Sequence, residues 1–231
     1  MPDGFANRPR ILRGAFVEFG LSLPPLMVVF QFNPVELSRS RSLRFAAPRG
    51  FQPGGRGDSL RRFHERNSDL TTLRDLQDVS VDEENIAFDI RLDASEGLNE
   101  GDPVAGRFGI SPRLSTLELM VRPKGEGVIE QGLRALVGSP GGFSYTKRPN
   151  PPLVLFVWGR KRVVPVNING LGIVETEYSA DLSPVRATVS VSLTVIEGKS
   201  VPQMYTNAMK EAMSMVNLAN IADAQNVMIP E

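Results

Sequence analysis

Side chains that could perform chemistry are few and scattered in this sequence. The only histidine, His64, lies among arginines, without the second histidine or cysteine that a metal site or a catalytic triad needs. Three consecutive carboxylates, Asp82, Glu83 and Glu84, directly precede a strand-like segment, and we interpret them as a solvated turn. A further acidic group, at 96–102, does not have the ligand spacing of a calcium loop. These residues predict neither a metal centre nor an acid–base pair.

Motifs for phosphate binding and nucleophilic catalysis are not found in the sequence either. Gly54, Gly55 and Gly57 lack the preceding strand and following helix that a phosphate cradle requires. The tripeptide at 56–58, Arg-Gly-Asp, matches an adhesion motif, but three-residue matches are common by chance. The chain contains no cysteine, which excludes disulfides and thiol catalysis. We therefore expect a protein that is not an enzyme, has no cofactor or metal, and works by assembly.

Charge is balanced overall but divided along the chain. Residues 1–66 contain 11 Arg, no Lys and 5 acidic residues, a net charge of +6, so the remainder carries −6 because the total is zero. This division can orient like subunits head to tail or line one mouth of a ring, and simple charging of the loops is the alternative. A neutral chain is a poor candidate for general nucleic-acid binding, which requires a basic surplus. Its longest apolar runs are far shorter than the roughly 20 residues of a membrane helix, so we expect synthesis in the cytoplasm and no direct membrane insertion.

Alternation of apolar and polar residues predicts that most of the chain forms strands. The pattern is clearest at 84–92, where every second residue from Ile86 to Leu92 is apolar, and at 186–197. The other predicted strands are residues 14–20, 26–33, 34–45, 153–159, 162–169 and 170–182. We expect the first two of these to form a hairpin, and the continuously apolar segment 153–159 to be covered on both faces.

Helices are predicted at three places, with long loops between elements. Leu114, Leu117 and Met120 recur every three residues and indicate an amphipathic helix at 112–122. The other two predicted helices are 127–138 and a methionine-rich C-terminal helix at 204–228. The methionine stripe of the last helix could pack on its own core or contact a neighbouring subunit. The segments 46–80, 94–106 and 139–152 are predicted to be loops.

The pattern of elements predicts an α+β fold that is mainly β. We expect two packed antiparallel sheets or a β-barrel, with an internal helix and a C-terminal helix. The predicted domain boundaries are a β domain at 1–200, with a long Arg/Gly-rich loop or insertion at 46–80, and a C-terminal helical extension at 201–231.

Three short motifs, in this order, carry a resemblance to a known family. The motif residues are Phe32, Asn33 and Pro34 followed by Leu37; Trp158 and Gly159 at the end of an apolar strand; and Pro184, Arg186 and Ala187 in the turn before a strand that closes with Glu197. This pattern resembles the tube-type baseplate and hub proteins of contractile injection systems, the N-terminal domain of the LysM-bearing hub family of phage-tail-like particles. The resemblance covers about residues 11–48 and 150–200. Too little sequence follows for a LysM domain, so peptidoglycan binding by that route is not expected here.

The resemblance implies a fold of tail-tube type and a structural role. Its members assemble as oligomeric rings, so it implies a homo-oligomer, expected to be hexameric, that joins the inner tube to a spike (VgrG-like) protein and contacts other baseplate components. The alternative is a tail-tube or tube-initiator subunit that itself forms the lumen; a cell-envelope binding module is a further alternative. The implied location is a phage-tail-like particle that is cytoplasmic, cell-anchored or released.

Two surfaces are candidates for subunit contacts and for the lumen. The candidate contact residues are Arg56, Arg61, Arg62, His64, Met209 and Met213. We expect the Arg-rich segment 46–80 to contact a neighbouring ring or the spike. Hydroxyl side chains of the last strand, at Thr188, Ser190, Ser192 and Thr194, are a candidate lumen wall, and simple exposure of an outer face is the alternative.

Overall fold

A computed structural model describes residues 12–20, 26–51, 59–123 and 150–218 of the chain. The strands in these ranges are Ala15–Glu18 (β1), Met27–Val29 (β2), Leu37–Ser40 (β3), Leu43–Ala46 (β4), Asp78–Val81 (β5), Asn85–Asp93 (β6), Val154–Trp158 (β7), Arg162–Tyr178 (β8) and Pro184–Val195 (β9). The helices are Ser59–Arg66 (α1), Leu70–Leu76 (α2), Ser95–Glu100 (α3), Pro103–Phe108 (α4), Ser111–Met120 (α5) and Val201–Leu218 (α6). The predicted α+β class, with antiparallel sheets, an internal helix and a C-terminal helix, is confirmed.

The chain forms two compact units. Of the described residues, those within 1–38 and 86–231 form the larger unit, and those within 39–85 form the smaller unit. The smaller unit contains β4 and β5, which pair as an antiparallel two-stranded ribbon, and the helices α1 and α2. The boundaries predicted from the sequence, at 46–80 and at 201, differ from this division.

A curled, seven-stranded antiparallel sheet has the order β2-β1-β7-β8-β9-β6-β3. The predicted N-terminal hairpin is confirmed, since β1 pairs with β2, while its turn residues, 21–25, lie outside the described residues. The longest pairing joins β8 to β9 and contains register shifts between Ile168 and Gly170 and near Glu177. Such bulges bend a strand and strengthen its twist, which favours the curl of this sheet.

The core lies on the face of the sheet that the alternating pattern predicted. The buried residues of β6 are Ile86, Phe88, Ile90 and Leu92, and those of β9 are Ala187, Val189, Val191, Leu193 and Val195. Both strands therefore confirm the prediction residue by residue. In β7 Val154 and Phe156 are buried, while Leu155 and Val157 are half-buried, so the second face of this strand is covered in part.

Aromatic rings fill the centre of the core. Phe16, Phe30, Phe88 and Phe156 are all buried, and the ring centroids of Phe88 and Phe156 lie 5.3 Å apart in a stacked arrangement. Phe16 contacts Phe30 edge-on at 5.2 Å, and Trp158 stacks on Phe156 at 5.9 Å. Pairs in these geometries contribute about 0.5–1.5 kcal/mol beyond their burial. The rings thereby join strands that are distant in sequence.

Helix α5 covers part of this core as predicted. Leu114, Leu117 and Met120 are buried, and Pro112 stands in the first turn, where its missing N–H is tolerated. The helix begins one residue before the predicted range and ends two residues before its end.

Helix α6 attaches to β8 through polar side chains. The Thr206 hydroxyl accepts a hydrogen bond from Val163 N at 3.1 Å and donates one to Val163 O at 2.8 Å. The Tyr205 hydroxyl donates to Arg160 O at 2.7 Å. Gln203 and Thr206 are buried, while Met204 and Met215 are 59% and 69% exposed. Of the two predicted roles for the methionine stripe, packing on its own core is therefore wrong for these two residues.

The segment 46–80 was predicted to be a long loop, and that prediction was wrong at 59–80. This part of the chain forms α1, α2 and β5. Helix α1 buries Phe63, and α2 begins at Asp69, whose carboxylate accepts hydrogen bonds from Thr71 N and Thr72 N. Asp69 is a standard N-cap, so a helix signal was present within an Arg-rich stretch. Residues 52–58, including Arg56, lie outside the described residues.

Other predicted elements differ from the structure or lie outside the described residues. The predicted loop 94–106 contains α3 and most of α4, which begins at the Asp102-Pro103 pair with the Asp102 carboxylate as its cap. The predicted strands 162–169 and 170–182 are one strand, β8, and the single strand predicted at 34–45 is two, β3 and β4. The predicted helix 127–138 lies outside the described residues, as do residues 139–149 and 219–231.

Candidate functional site

Asn33, at the centre of the first motif, forms hydrogen bonds with the backbone of the segment that precedes β1. Its side-chain oxygen accepts a hydrogen bond from Gly14 N at 3.0 Å, and its side-chain nitrogen donates to Leu12 O at 2.8 Å. The amide thus satisfies one donor and one acceptor of a neighbouring backbone, as a paired strand would. Of the other motif residues, Phe32 is 48% exposed, Pro34 is half-buried, and Leu37 packs partly against the core.

Gly14 links this first motif to the second motif, at Trp158. A Cβ atom at position 14 would lie 2.7 Å from the Phe30 ring and 2.8 Å from the Trp158 ring. Gly159 follows with a φ of +64°, a conformation that favours glycine, and begins the turn between β7 and β8. Both motifs therefore lie close to Gly14, although about 125 residues of sequence separate them.

We expect Asn33→Ala to lower the free energy of unfolding by about 1.5 kcal/mol, because two hydrogen bonds to the backbone are lost. The matched control is Asn167→Ala on β8, whose side chain is exposed; its expected change is below about 0.5 kcal/mol. Urea unfolding followed by the fluorescence of Trp158 measures both. Equal unfolding midpoints for the two variants would contradict this role for Asn33.

Arg186, in the third motif, joins three strands at the end of the β8–β9 hairpin. Its guanidinium donates to Asp93 at the end of β6, with Nε to Oδ2 at 2.9 Å, and to Glu177 on β8. Glu177 is its local partner, on the strand that pairs with β9. The hydrogen bond to Asp93, followed by the charges of Asp93 and Glu177, raises the pKa of Arg186. Pro184 begins β9, and Ala187 is buried.

Asp93, one of the two carboxylates that contact Arg186, also forms hydrogen bonds with Ser95. Its hydrogen bonds with Ser95, one of them from Ser95 N at 2.7 Å, and then the contact with Arg186, hold its pKa below the ordinary value of 3.8. When the pKa of a carboxyl group is lower in the folded state than in the unfolded state, the ionised group stabilises the folded protein at pH values above the unfolded-state pKa. That contribution is lost as the pH falls through the folded pKa.

Replacing Asp93 by asparagine is therefore expected to cost about 1 kcal/mol at pH 7, where the carboxylate is charged. The difference from the wild type should shrink as the pH falls below 3.8, because protonation then removes the same interactions from the wild type. Urea unfolding at pH 7 and pH 3 tests this, with Asp181→Asn in the nearby turn as the control. A difference that is constant between the two pH values would exclude the charge as its origin.

The outward face of β9 has the predicted small hydroxyl side chains. Ser190 and Ser192 are exposed, and Thr188 and Thr194 are half-buried. Across the hairpin, Gly172 pairs with Ser190 and Gly170 with Ser192. A Cβ atom at position 170 would lie only 2.8 Å from Ser192 Oγ. The candidate lumen wall, which we call the hydroxyl face, is thus a surface of short side chains and glycine backbone.

The predicted subunit-contact residues that the structure describes are divided between the two units. Arg61, Arg62 and His64 lie on α1 in the smaller unit, where Arg61 pairs with Glu65 at 3.1 Å and remains 80% exposed. Met209 and Met213 lie on α6 in the larger unit, where Met213 is 39% exposed and accepts a contact from Lys161 at 3.4 Å. Glu197, at the end of the third motif, is exposed just after β9.

Glu84 contradicts the prediction of a solvated acidic turn. Its carboxylate is buried, and the guanidinium groups of Arg39 and Arg41 contact it. The two arginine side chains are themselves about a third exposed, so water partly screens these ion pairs. Asp82 also has a partner, since it lies 3.6 Å from Arg44. Sequence reasoning missed these pairs because the arginines precede the carboxylates by about 40 residues.

The two-stranded ribbon of the smaller unit carries an apolar face that sequence reasoning also missed. Leu43 stands opposite Val81, and Phe45 opposite Val79. All four side chains are about half exposed, at 47–53%. We call these four residues the ribbon face. The signal was available in the alternation of LRF at 43–45 with VSV at 79–81, but the second segment lay inside the predicted loop.

Comparison with protein-family models and with curated proteins finds no match to the chain. Within the described ranges no cluster of three or more histidine, cysteine or acidic side chains could hold a metal ion. No helix among the described residues has the length and hydropathy required to cross a membrane.

Proposed function

We propose that the chain is a structural hub or tube-adaptor subunit of a contractile, phage-tail-like injection apparatus, in which it joins the inner tube to the spike. The sequence motifs support this proposal because their residues stabilise the fold. Asn33 hydrogen-bonds the segment before β1, Trp158 stacks on Phe156, and Arg186 links β9 to β6 and β8. A stable fold is the main requirement of a protein whose function is assembly.

The observation that carries the proposal is the arrangement of exposed apolar side chains. Single exposed apolar residues are normal on a monomer. Here four of them form one face, the ribbon face on β4 and β5, and on α6 Met204, Met215 and Val216 are each 59–69% exposed. Contiguous faces of this kind mark contacts with other proteins. Such contacts are expected of a subunit in a large particle.

Assembly into a ring follows from general rules of symmetry. A head-to-tail contact gives a closed ring when its rotation closes and a filament when it does not. The outermost described strands of the seven-stranded sheet, β2 and β3, have edges at which a neighbouring sheet could continue. In this arrangement the hydroxyl face lines the lumen, where short polar side chains let cargo pass without adhering to it.

Sedimentation velocity of the purified chain, alone and with the tube and spike proteins of the same particle, tests the proposal. An adaptor forms one species of defined size, either alone or with a partner, and does not grow further. Growth into polymers of increasing length would instead identify a tube or tube-initiator subunit. A chain that remains monomeric with both partners would contradict the assembly function.

A further inference from the structure

Strand β8 contains the only asparagine of the chain that glycine follows directly, in the pair Asn169-Gly170. The backbone nitrogen of the following residue can attack the side-chain carbonyl carbon of an asparagine. Glycine hinders this attack least, because it has no Cβ atom and its backbone is the most adaptable. Ring closure releases the side-chain nitrogen as ammonia and leaves a five-membered succinimide. One water molecule then opens the ring, so the products are ammonia and either aspartate or isoaspartate.

Asn169 is the extra residue of a β-bulge. Its neighbours Ile168 and Gly170 stand opposite Leu193 and Ser192, which are consecutive residues of β9, so Asn169 has no partner across the ladder. The Asn169 side chain is exposed, and its Nδ2 donates a hydrogen bond to Thr194 Oγ1. Water therefore reaches the side chain, while Thr194 holds the nitrogen that the reaction would release.

The folded strand opposes the first step of this reaction. The backbone of a β-strand is extended, with ψ near +135°, whereas ring closure brings the Gly170 nitrogen onto the Asn169 side chain and rotates ψ out of that range. The flanking residues Ile168, Leu171 and Ile173 pack partly against the core. A rotation at Asn169 would displace these side chains and break the pairing with β9 on both sides of the bulge. The native strand therefore protects the pair.

The protection depends mainly on one neighbouring strand. Strand β7 pairs with β8 only as far as Val166, which stands opposite Val154. Among the described residues, β9 alone pairs with β8 from Asn167 onward. Segments held by few partners open with a lower free energy than the whole domain. Separation of β8 from β9 is therefore the local opening that makes Asn169 reactive.

We propose that Asn169 is a deamidation site that the β8–β9 pairing protects, so that its conversion marks chains in which this hairpin has opened. This inference is independent of the proposed assembly function. Isoaspartate lengthens the backbone of β8 by one carbon atom and disturbs the register that follows. Aspartate places a negative charge beside Thr194, on the uncharged hydroxyl face. Either product is permanent without a repair enzyme, since the ammonia is lost.

The hydrogen bond to Thr194 gives a first test within the folded protein. Thr194→Val removes the hydroxyl acceptor and retains the shape of the side chain, so we expect Asn169 to convert about 2- to 10-fold faster in the folded state. Its rate in the unfolded chain should not change. Thr188→Val is the matched control on the same face of β9, opposite Val174, with an expected change below about twofold. Equal folded-state rates for the two variants would overturn the protection by β9.

The wild type provides a second test that needs no variant and applies even if Thr194→Val does not fold. The full chain is incubated at mildly alkaline pH, folded and in guanidinium chloride, then digested with trypsin and analysed by fragmentation mass spectrometry. Cleavage after Arg162 and Arg186 releases one peptide that contains Asn169 and also Asn167. Asn167 is the internal control, because the branched side chain of Ile168 hinders attack on it.

We expect Asn169 to convert in the unfolded chain, faster than Asn167, and at least about 100-fold more slowly in the folded chain. Similar rates at Asn169 in the folded and unfolded chain would overturn the protection. An unfolded chain in which Asn169 converts no faster than Asn167 would overturn the site itself.

Discussion

Replacing Gly109 by alanine is expected to lower the free energy of unfolding by about 4 kcal/mol, a large part of the stability of a single domain. Gly109 has a φ of +57° at the end of α4. A Cβ atom here would lie 2.0 Å from Pro184 O, a backbone atom that cannot simply rotate away. Displacing that oxygen also breaks its hydrogen bond with Ile110 N, which joins α4 and α5 to β9.

Gly106→Ala is the matched control for this prediction. Gly106 lies three residues earlier in α4, and a Cβ atom there would meet nothing within 4 Å. Alanine is the better helix former, so this change should stabilise the protein by about 0.5 kcal/mol. Urea unfolding followed by far-ultraviolet circular dichroism measures both variants. Similar midpoints for Gly109→Ala and the wild type would show that Pro184 can move at little cost.

Phe156→Ala is the second change with a large expected effect. The Phe156 ring is fully buried and contacts the rings of Phe16, Phe30, Phe88 and Trp158. Its removal leaves a cavity where β1, β6 and β7 meet, and we expect a loss of about 4 kcal/mol. The native fluorescence of Trp158, the only tryptophan, should change as well, since its stacking partner is gone.

Phe32→Ala serves as the control for Phe156→Ala, because it removes the same ring from a residue that is 48% exposed. Its expected effect on stability is about 0.5 kcal/mol or less. Phe32 belongs to the first sequence motif, so a loss of assembly by this stable variant would place it at a subunit contact. A loss of stability as large as that of Phe156→Ala would mean that the exposed ring supports the core.

The strands of the sheet were predictable where apolar and polar residues alternate regularly along the sequence. In β6 and β9 each apolar residue of the pattern is buried, since a strand with one covered face admits only one register. The pattern could not show that β8 passes straight through Asn169-Gly170, a pair that usually indicates a turn. The register shift next to these residues accommodates them within the strand, and that depends on the pairing with β9.

The short helices and the buried charges were harder to predict, for two different reasons. The caps of α2 and α4, Asp69 and Asp102, were visible in the sequence but stood in segments dominated by arginine or glycine. The burial of Glu84 depends on Arg39 and Arg41, which the fold brings to it from distant positions. The positive φ of Leu182, 58°, could not be predicted from the sequence, because leucine has no preference for a positive φ.

The central claim, that this chain is a structural subunit that assembles between tube and spike, is tested most directly by negative-stain electron microscopy. The purified chain is imaged alone and after mixing with the tube and spike proteins of its particle. We expect closed rings of one size, present alone or appearing with a partner. Single particles of monomer size in every mixture would contradict it.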